Sequence, residues 1–385
     1  MYKKILSLTL VSCMMLLASC KKNSINEHVA PSSHTDGEEV HLCTEKTVDD
    51  KHTTENGART DAAILIAKKW TNGQTIRVKF LNGDAFLQSK VRQYAAQWTT
   101  FANLRFQYVG LNENADIKVA FKWNNDGGSW SYIGTDSKLI GQYSPSMNYG
   151  WFSSSTPESE FSRTIIHEFG HALGLVHEHQ SPAANIPWDK PKVYAYYGGA
   201  PNYWTTAQVD NNIFYKYSTA QTNYTAFDSK SIMLYAIPST LTTNGWSSGT
   251  NTRLSDTDID FAGKQYPYPA TAKHVLHRGQ TLNQNQYLRS RDGRFRLIMQ
   301  TDGNLVLYKE GVRALWHTQT GGRPYITRCI MQTDGNLVLY NSGTTPYWWT
   351  GTTSYPGGYL ILQNDGNLVM YQNGVARWHT ATANQ

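Results

Sequence analysis

The chain has 385 residues, of which 17% are charged, 40% hydrophobic and 12% aromatic, and its formal net charge is +6. This composition excludes a wholly disordered chain and a coiled coil, and the length allows two or three domains. Its only long apolar run lies at the extreme N-terminus, which excludes a polytopic membrane protein. The basic excess falls in residues 271–385, with 11 basic and five acidic side chains, but no motif there indicates nucleic-acid binding.

The N-terminus has the pattern of an export signal. Lys3 and Lys4 precede an apolar stretch that is too short for an ordinary membrane span. The sequence Leu-Ala-Ser-Cys at 17–20 resembles a bacterial lipobox, which implies that residues 1–19 are removed and that Cys20 is acylated; the alternative is an ordinary signal peptide. We therefore expect an exported protein that is anchored to a bacterial membrane or cell surface only through lipid, or is released from it.

Residues 20–61 are polar and predict a linker or pro-segment. The four cysteines do not form a disulfide framework, because Cys13 leaves with the signal and Cys20 is expected to be acylated. Cys43 and Cys329 remain. They could pair in an oxidising compartment, or Cys43 could stay a free thiol that ligates a metal from the pro-segment.

Residues 62–269 have the pattern of an α+β domain. Period-two alternation predicts strands, and apolar residues at three- and four-residue steps predict amphipathic helices. The segment from 180 to 250 is rich in Pro, Gly, Asn and Tyr, which predicts mostly long loops. The predicted strands cover residues 75–80 and 115–121, and the predicted helices cover residues 86–101 and 159–175.

The second predicted helix carries the motif His-Glu-x-x-His. His167 and His171 are four residues apart, so one helical face presents both imidazoles. Gly174 can adopt a positive φ where the helix ends, and this turn brings His177 to the same point. Three neutral imidazoles form a catalytic zinc site with one open position, and Glu168 lies where it can take a proton from water. The full HExxHxxGxxH spacing therefore predicts one catalytic Zn²⁺.

The stretch from His167 to Glu178 resembles the metzincin metalloproteases, and the additional Glu178 is typical of the astacin family. Ser-Ile-Met-Leu-Tyr at 231–235 resembles the astacin Met-turn. The resemblance implies that Met233 lies beneath the zinc and that Tyr235 is a further zinc ligand that swings out to stabilise the oxyanion. It also implies that Glu178 helps to anchor the new N-terminus after activation, and that the enzyme is a zinc endopeptidase of the 3.4.24 class.

The resemblance to astacins extends over residues 62–268, with departures. Leu234 replaces the histidine usual in the Met-turn, and the predicted domain has no cysteine. A family pro-segment motif with a zinc-blocking aspartate is missing, so Cys43 is the better candidate for blocking zinc in a zymogen. The bond before Ala62, where the sequence resembles the start of a mature astacin, is the expected activation site.

Three near-identical stretches follow, spaced by about 32 residues, and they predict three similar subunits around an axis. Within each, Gln, Asp, Asn, Val and Tyr occupy every second position and so share one strand face. Leucines such as Leu305 and Leu307 take the opposite face, and Trp316, Trp348 and Trp378 are expected to fill the centre. The shared-face residues are Gln300, Asp302, Asn304, Val306, Tyr308, Gln332, Asp334, Asn336, Val338, Tyr340, Gln363, Asp365, Asn367, Val369 and Tyr371.

This QxDxNxVxY pattern resembles the bulb-type mannose-binding lectins over residues 274–385, which implies an all-β β-prism II domain that binds mannose-type glycans without metal. Arg289, Arg291, Arg294 and Arg296 have the spacing of one strand face, which predicts either a patch for acidic glycans or a solvated face.

The sequence thus predicts a multidomain protein in which an α+β metzincin domain precedes a β-prism II lectin domain. Its expected partners are protein or peptide substrates and mannose-type glycans or glycoproteins. The predicted function is a surface-anchored or secreted zinc endopeptidase that its lectin domain targets to glycans. The alternative is a glycan-binding adhesin with an inactive or residual protease domain.

Overall fold

A computed structural model describes residues 43–48, 64–200, 202–220 and 222–385. The export signal, Cys20 and the bond before Ala62 lie outside the described residues. None of the helices in this described part is long and apolar enough to cross a membrane.

The part of the chain before residue 270 combines one mixed sheet with helices. Its strands are β1 (Cys43–Lys46), β2 (Ile64–Leu65), β3 (Thr75–Phe80), β4 (Arg105–Tyr108), β5 (Ile117–Phe121), β6 (Ser129–Tyr132), β7 (Met147–Tyr149) and β8 (Thr222–Asn223). Its α-helices are α1 (Ala85–Phe101), α2 (Glu158–Ala172), α3 (Lys190–Gly198), α4 (Thr206–Val209) and α5 (Asp256–Gln265).

The main sheet has six strands in the order β1-β6-β7-β5-β3-β4. Strands β4, β3, β5 and β7 pair in parallel, β6 is antiparallel to β7, and β1 is parallel to β6. Helices α1 and α2 share the buried core with the inner strands, and the indole N–H of Trp98 on α1 donates a 2.7 Å hydrogen bond to the carbonyl of Ile166 on α2. This contact fixes the position of the helix that carries the HExxH motif.

The predicted strands and helices are present, with two corrections. Helix α2 ends at Ala172 rather than at 175, because Gly174 turns the chain with φ +103°. The expectation of mostly loops from 180 to 250 overlooked α3 and α4. Helix α3 begins after Asp189, whose carboxylate accepts from the amide of Lys192, and a proline stands in its first turn.

The all-β part forms three four-stranded sheets, in the orders β11-β12-β13-β14, β10-β15-β16-β17 and β20-β19-β18-β9. The strands are β9 (Val275–Leu276), β10 (Thr281–Asn283), β11 (Tyr287–Arg289), β12 (Phe295–Met299), β13 (Leu305–Lys309), β14 (Arg313–His317), β15 (Ile326–Met331), β16 (Leu337–Asn341), β17 (Pro346–Trp349), β18 (Tyr359–Leu362), β19 (Leu368–Gln372) and β20 (Val375–His379).

The three predicted tryptophans meet at the centre of these sheets. The rings of Trp316, Trp348 and Trp378 contact one another edge-to-face, with centroids 5.6 to 6.1 Å apart. Leu305 and Leu307 are fully buried towards the same core. The three-fold arrangement expected from the repeats is therefore present.

The expected arginine face is wrong. Arg289 ends β11 and pairs with Arg296 on β12, whereas Arg291 and Arg294 lie in the turn that joins the two strands. The three-residue step from Arg291 to Arg294 breaks the period-two spacing, and the turn falls there, so the four side chains do not share a single strand.

Asp258, in the first turn of α5, ties this helix to the loop that leads to Met233. Its carboxylate accepts hydrogen bonds from the Ser231 hydroxyl at 2.7 Å and from the amides of Ile232 and Ser255 at 2.9 Å. We predict that Asp258→Ala destabilises the protein by about 2–4 kcal/mol, because three buried donors lose their acceptor. Thermal and denaturant unfolding of the full chain measures this change.

Asp258→Asn is the matched comparison, because its amide keeps one acceptor oxygen and should lose less stability than the alanine variant. Unfolding free energies within about 0.5 kcal/mol of the unchanged protein for both variants would contradict this role of the carboxylate.

Candidate metal centre

Three imidazoles converge at the end of α2. The Nε2 atom of His171 lies 3.1 Å from Nε2 of His167 and 3.2 Å from Nε2 of His177. All three side chains are buried, and they form the single cluster of potential metal ligands within the described residues. The turn at Gly174 is tight, since an added Cβ would lie 3.2 Å from Cγ1 of Ile64. The predicted trio is therefore brought together as its spacing required.

The other ring nitrogen of each histidine is held by an acceptor. The acceptors of the Nδ1 atoms are the carbonyl of Ile232 for His167 at 2.8 Å, the carbonyl of Leu175 for His171 at 2.9 Å and Oε1 of Gln180 for His177 at 3.2 Å. Each Nδ1 therefore carries the proton, and each Nε2 presents a lone pair to the other two.

The electrostatics of this cluster favour a cation at its centre. Burial lowers the pKa of His171 to about 4 and holds the pKa of His167 and His177 well below the usual histidine value. Neutral rings with three converging lone pairs repel one another unless a positive ion lies between them. A buried donor set of three imidazole nitrogens fits Zn²⁺.

Glu168 follows the first histidine on α2 and is not a member of the imidazole cluster. It is fully buried, and neither carboxylate oxygen has a conventional hydrogen-bond partner among the described residues. Burial raises the pKa of Glu168 well above its usual range, while the nearby Cys43 thiol and the Arg163 charge oppose that shift. A buried carboxylate without a firm partner is costly, and such groups concentrate at functional sites.

Tyr235 lies against the imidazole cluster, and Met233 packs against the helix that carries two of the histidines. The ring of Tyr235 is 4.3 Å from the ring of His177 and 6.2 Å from that of His167, and its hydroxyl donates a hydrogen bond to the carbonyl of Cys43. Met233 packs under α2 at Gly170, where an added Cβ would lie 2.4 Å from the methionine sulfur.

Two residues of this centre, Gly170 and His179, were not singled out from the sequence. A glycine inside a helix costs about 1 kcal/mol relative to alanine, so Gly170 within the motif was a signal of close packing. His179 is buried, and its ring lies 4.7 Å from the ring of Tyr235 and 5.3 Å from that of His177. Its Nε2 pairs with the carbonyl of Asn212 at 2.8 Å, and the HExxHxxGxxH spacing, which selects His177 as the third ligand, does not reveal that His179 is buried beside it.

Glu178 lies away from the imidazoles, in a small cavity that also contacts Asp228 and Asp258. Its Oε1 accepts a 2.8 Å hydrogen bond from the amide of Asp228, and burial raises its pKa to about 8. The backbone N–H of Glu178 also donates to the carbonyl of Met233 at 3.0 Å. This side chain thus supports the loop below the cluster.

The strand that carries Cys43 crosses the candidate centre. Cys43 pairs with Ser129 of β6, and its buried thiol lies near Glu168 rather than within the imidazole cluster. Burial raises the pKa of this thiol well above its usual value. Oε2 of Glu45 on the same strand lies 3.4 Å from Nδ1 of His177. Cys43 as a zinc ligand therefore stays a prediction.

A disulfide between Cys43 and Cys329, the other alternative, is wrong. Both cysteines are free and buried, and Cys329 lies in the core of the all-β part.

The three repeats build three similar polar faces. In each, the glutamine amide donates to the tyrosine hydroxyl at 2.9 to 3.2 Å, and the aspartate Oδ1 accepts from the amide of the asparagine two residues later at 2.8 to 2.9 Å. These internal bonds orient the side chains while leaving further donors and acceptors for a ligand. Such a surface suits the hydroxyl groups of a sugar.

A threonine pair behind each face was missed. Each asparagine Oδ1 accepts a hydrogen bond from the first hydroxyl of this pair, which fixes the orientation of the side-chain amide. The signal was present as Trp-x-Thr-x-Thr after every repeat. The pairs are Thr318 and Thr320, Thr350 and Thr352, and Thr380 and Thr382.

Comparisons with known proteins agree with a protease part. Residues 69–192 match the family model of the matrixins. Serralysin B of Dickeya chrysanthemi is 31% identical over 136 residues, which is 32% of this chain and 27% of that protein. A probable matrix metalloproteinase of Invertebrate iridescent virus 3 is 26% identical over 111 residues, which is 26% of this chain and 31% of that protein. The chain thus spans about a third of the length of these curated relatives. The matching model is that of the matrixins, so the narrower assignment to astacins is not confirmed.

Two solved structures extend the comparison. Myroilysin is 51% identical in a match that covers 54% of this chain and all of that one, with a TM-score of 0.52. The mannose-specific agglutinin of snowdrop bulbs (Galanthus nivalis), solved with methyl-α-D-mannoside, is 42% identical in a match that covers 29% of this chain and 97% of that one, with a TM-score of 0.24. The match to myroilysin shows that the chain belongs to the same family as that protein, and the chain carries a metzincin-type metalloprotease domain followed by an all-β domain.

Proposed function

We propose that the chain is a zinc endopeptidase that hydrolyses peptide bonds of proteins. The observation that carries this proposal is the convergence of three buried imidazole Nε2 atoms, each fixed from behind at Nδ1, next to the buried carboxylate of Glu168. His167, His171 and His177 would hold the ion. When bound, zinc supplies a Lewis acid that polarises the scissile carbonyl and lowers the pKa of water.

The side chains of the protein perform the proton transfers. Glu168 takes a proton from the attacking water and delivers it to the leaving amine, and burial, which raises the pKa of its carboxyl group, makes the carboxylate a stronger base for this transfer. The hydroxyl of Tyr235 stabilises the oxyanion once it is released from the carbonyl of Cys43. Tyr235 at this place and Glu178 below the cluster support the finer proposal of an astacin-like member of the metzincins, with Tyr235 as an additional ligand at rest.

We propose further that the enzyme is made as a zymogen. Strand β1 occupies the free edge of β6, and its backbone binds the hydroxyl of Tyr235, so a substrate cannot use either group while β1 is in place. Removal of the segment before Ala62 would free both. We propose also that the chain is exported, carries a lipid on Cys20 and is anchored to a bacterial surface or released from it. The N-terminal signal is the only support for this part of the proposal.

The all-β domain is proposed to bind mannose-type glycans and to hold the protease near glycoproteins. The support is the threefold polar face, in which an asparagine amide and an aspartate carboxylate are oriented by internal hydrogen bonds. Tethering raises the effective concentration of substrate and changes no chemistry. The intact imidazole cluster beside Glu168 disfavours the alternative of an adhesin with an inactive protease domain.

We predict one zinc ion per chain and cleavage of denatured casein by protein that begins at Ala62. Glu168→Ala should keep the zinc and lower kcat by at least about 100-fold, because the general base and acid is lost. Metal analysis and a casein assay with and without a chelator measure both properties.

Glu158→Ala is the matched control, since Glu158 is exposed in the first turn of the same helix. Absence of zinc would refute the metal centre. Casein cleavage by Glu168→Ala at the rate of the Glu158→Ala variant would refute the role of Glu168.

Latency gives a second prediction. A chain that retains β1 should cleave casein at least ten-fold more slowly than protein that begins at Ala62. If the thiol of Cys43 blocks zinc, Cys43→Ala should raise the activity of the unprocessed chain, whereas Cys329→Ala, which removes the other buried thiol, should not. An unprocessed Cys43→Ala chain that stays inactive would assign latency to the backbone of β1 instead of the thiol.

Glycan binding gives a third prediction. The full chain should be retained on mannan-agarose and eluted by methyl-α-D-mannoside, and galactose serves as the control sugar. A chelator should not release the chain, because the polar faces contain no metal-ligand cluster among the described residues. Release by chelator, or elution by galactose as readily as by the mannoside, would contradict the proposed mode of binding.

A further inference from the structure

The three polar faces of the all-β domain are equivalent by strand register. Val306, Val338 and Val369 pair with Ile298, Ile330 and Ile361 on the neighbouring strand. Two residues further along each strand, a tyrosine pairs with the neighbouring strand. The pairs are Tyr308 with Arg296, Tyr340 with Arg328 and Tyr371 with Tyr359. The third face therefore has an aromatic ring where the other two have a guanidinium group.

The strand on the far side of the isoleucine, β11, β10 or β9, also differs in the third face. The position opposite the isoleucine is Tyr287 in the first face and Thr281 in the second, but Val275 in the third. Val275, Tyr359 and Ile361 are only 4%, 6% and 8% exposed. Their counterparts in the other two faces are all half-buried: Tyr287, Arg296, Ile298, Thr281, Arg328 and Ile330.

The protease domain covers this apolar third face. Tyr359 packs edge-to-face on Phe101 at the end of α1, with ring centroids 5.4 Å apart. Val369 belongs to the hydrophobic core of the protease domain, and Tyr371 packs against that core. Val306 and Val338 are as buried as Val369, at 3% exposure, yet neither joins a hydrophobic cluster within the described part of the chain.

Polar contacts hold the same two surfaces together. The turn after Tyr371 reaches the protease domain, where the amide of Asn373 donates to Asp256 at 3.1 Å and its carbonyl accepts from Arg253 at 3.3 Å. Asp260 on α5 pairs with Nδ1 of His277 at 2.8 Å. In addition, Nε2 of His274 contacts the carbonyl of Thr100 at 2.7 Å. These bonds orient the domains, and the apolar contact supplies the buried area.

We propose that the third repeat serves as the docking surface for the protease domain, so that only the first two repeats bind glycan. This inference rests on the proposed lectin function and specifies its valency as two. The hydrogen bond between Gln363 and Tyr371 survives in the third face, but Val369 joins the core of the protease domain and the half-buried ring of Tyr371 packs against it. The docked face also fixes the direction of the two remaining sites relative to the metal centre.

The test uses the full chain and retention on mannan-agarose. The double variant Gln300→Ala and Gln332→Ala should lose retention at least ten-fold although its third repeat is intact. Gln363→Ala, the matched control, should be retained like the unchanged protein. Retention of the double variant would overturn the inference and leave the lectin function standing. Failure of the unchanged protein to bind would overturn both.

A second variant tests docking directly. Tyr359→Arg gives the third face the residue that the other two have, and it places a charge against Phe101. Calorimetry should then show two separate unfolding transitions, whereas Arg328→Tyr in the second face should leave the transitions unchanged. Added to the double glutamine variant, Tyr359→Arg should restore mannan retention by exposing the third face. Unsplit unfolding without restored retention would overturn the docking role.

Discussion

The hydrogen bond between Nδ1 of His167 and the carbonyl of Ile232 joins the two elements on which the metal centre depends. One is helix α2, and the other is the loop that carries Met233 and Tyr235. Because the acceptor fixes the proton on Nδ1, it also decides that Nε2 presents a lone pair inward. Asp258 holds the amide of the same Ile232, so the final helix α5 supports the orientation of the first histidine.

In the proposed zymogen, strand β1 controls access to this centre without changing its geometry. The imidazole geometry is complete while β1 is present, and Cys43 contributes its carbonyl to Tyr235 and its thiol to the surroundings of Glu168. Strand β1 occupies the edge of β6 and the hydroxyl of Tyr235. Latency of this kind requires no rearrangement of α2, so loss of β1 can expose an assembled site.

The sequence predicted those parts of the protein whose chemistry repeats at fixed spacing. The HExxHxxGxxH motif predicted the three converging histidines, and the QxDxNxVxY repeats predicted the sheets and the central tryptophans. It failed where tertiary packing decides: the fold buries His179, and α3 has only two buried residues, Val193 and Tyr197, to mark its inner face. The arginines were assigned to one strand although the three-residue step between Arg291 and Arg294 breaks the period and contains a turn. The acceptors of the Nδ1 atoms could not be predicted either, because two of the three are backbone carbonyls, which every residue has whatever its side chain.

The third repeat also shows why an intact motif does not establish an available site. Its glutamine, aspartate, asparagine, valine and tyrosine are all present, and the changes lie on the adjacent strands, at Val275 and Tyr359. Both differences remove polar atoms from the surface that the protease domain covers. A face that has lost the guanidinium group of its counterparts while keeping its internal hydrogen bonds is closer in composition to an interface core. The repeat can thus remain a stable part of the three-fold domain while its outer surface joins the two domains into one unit.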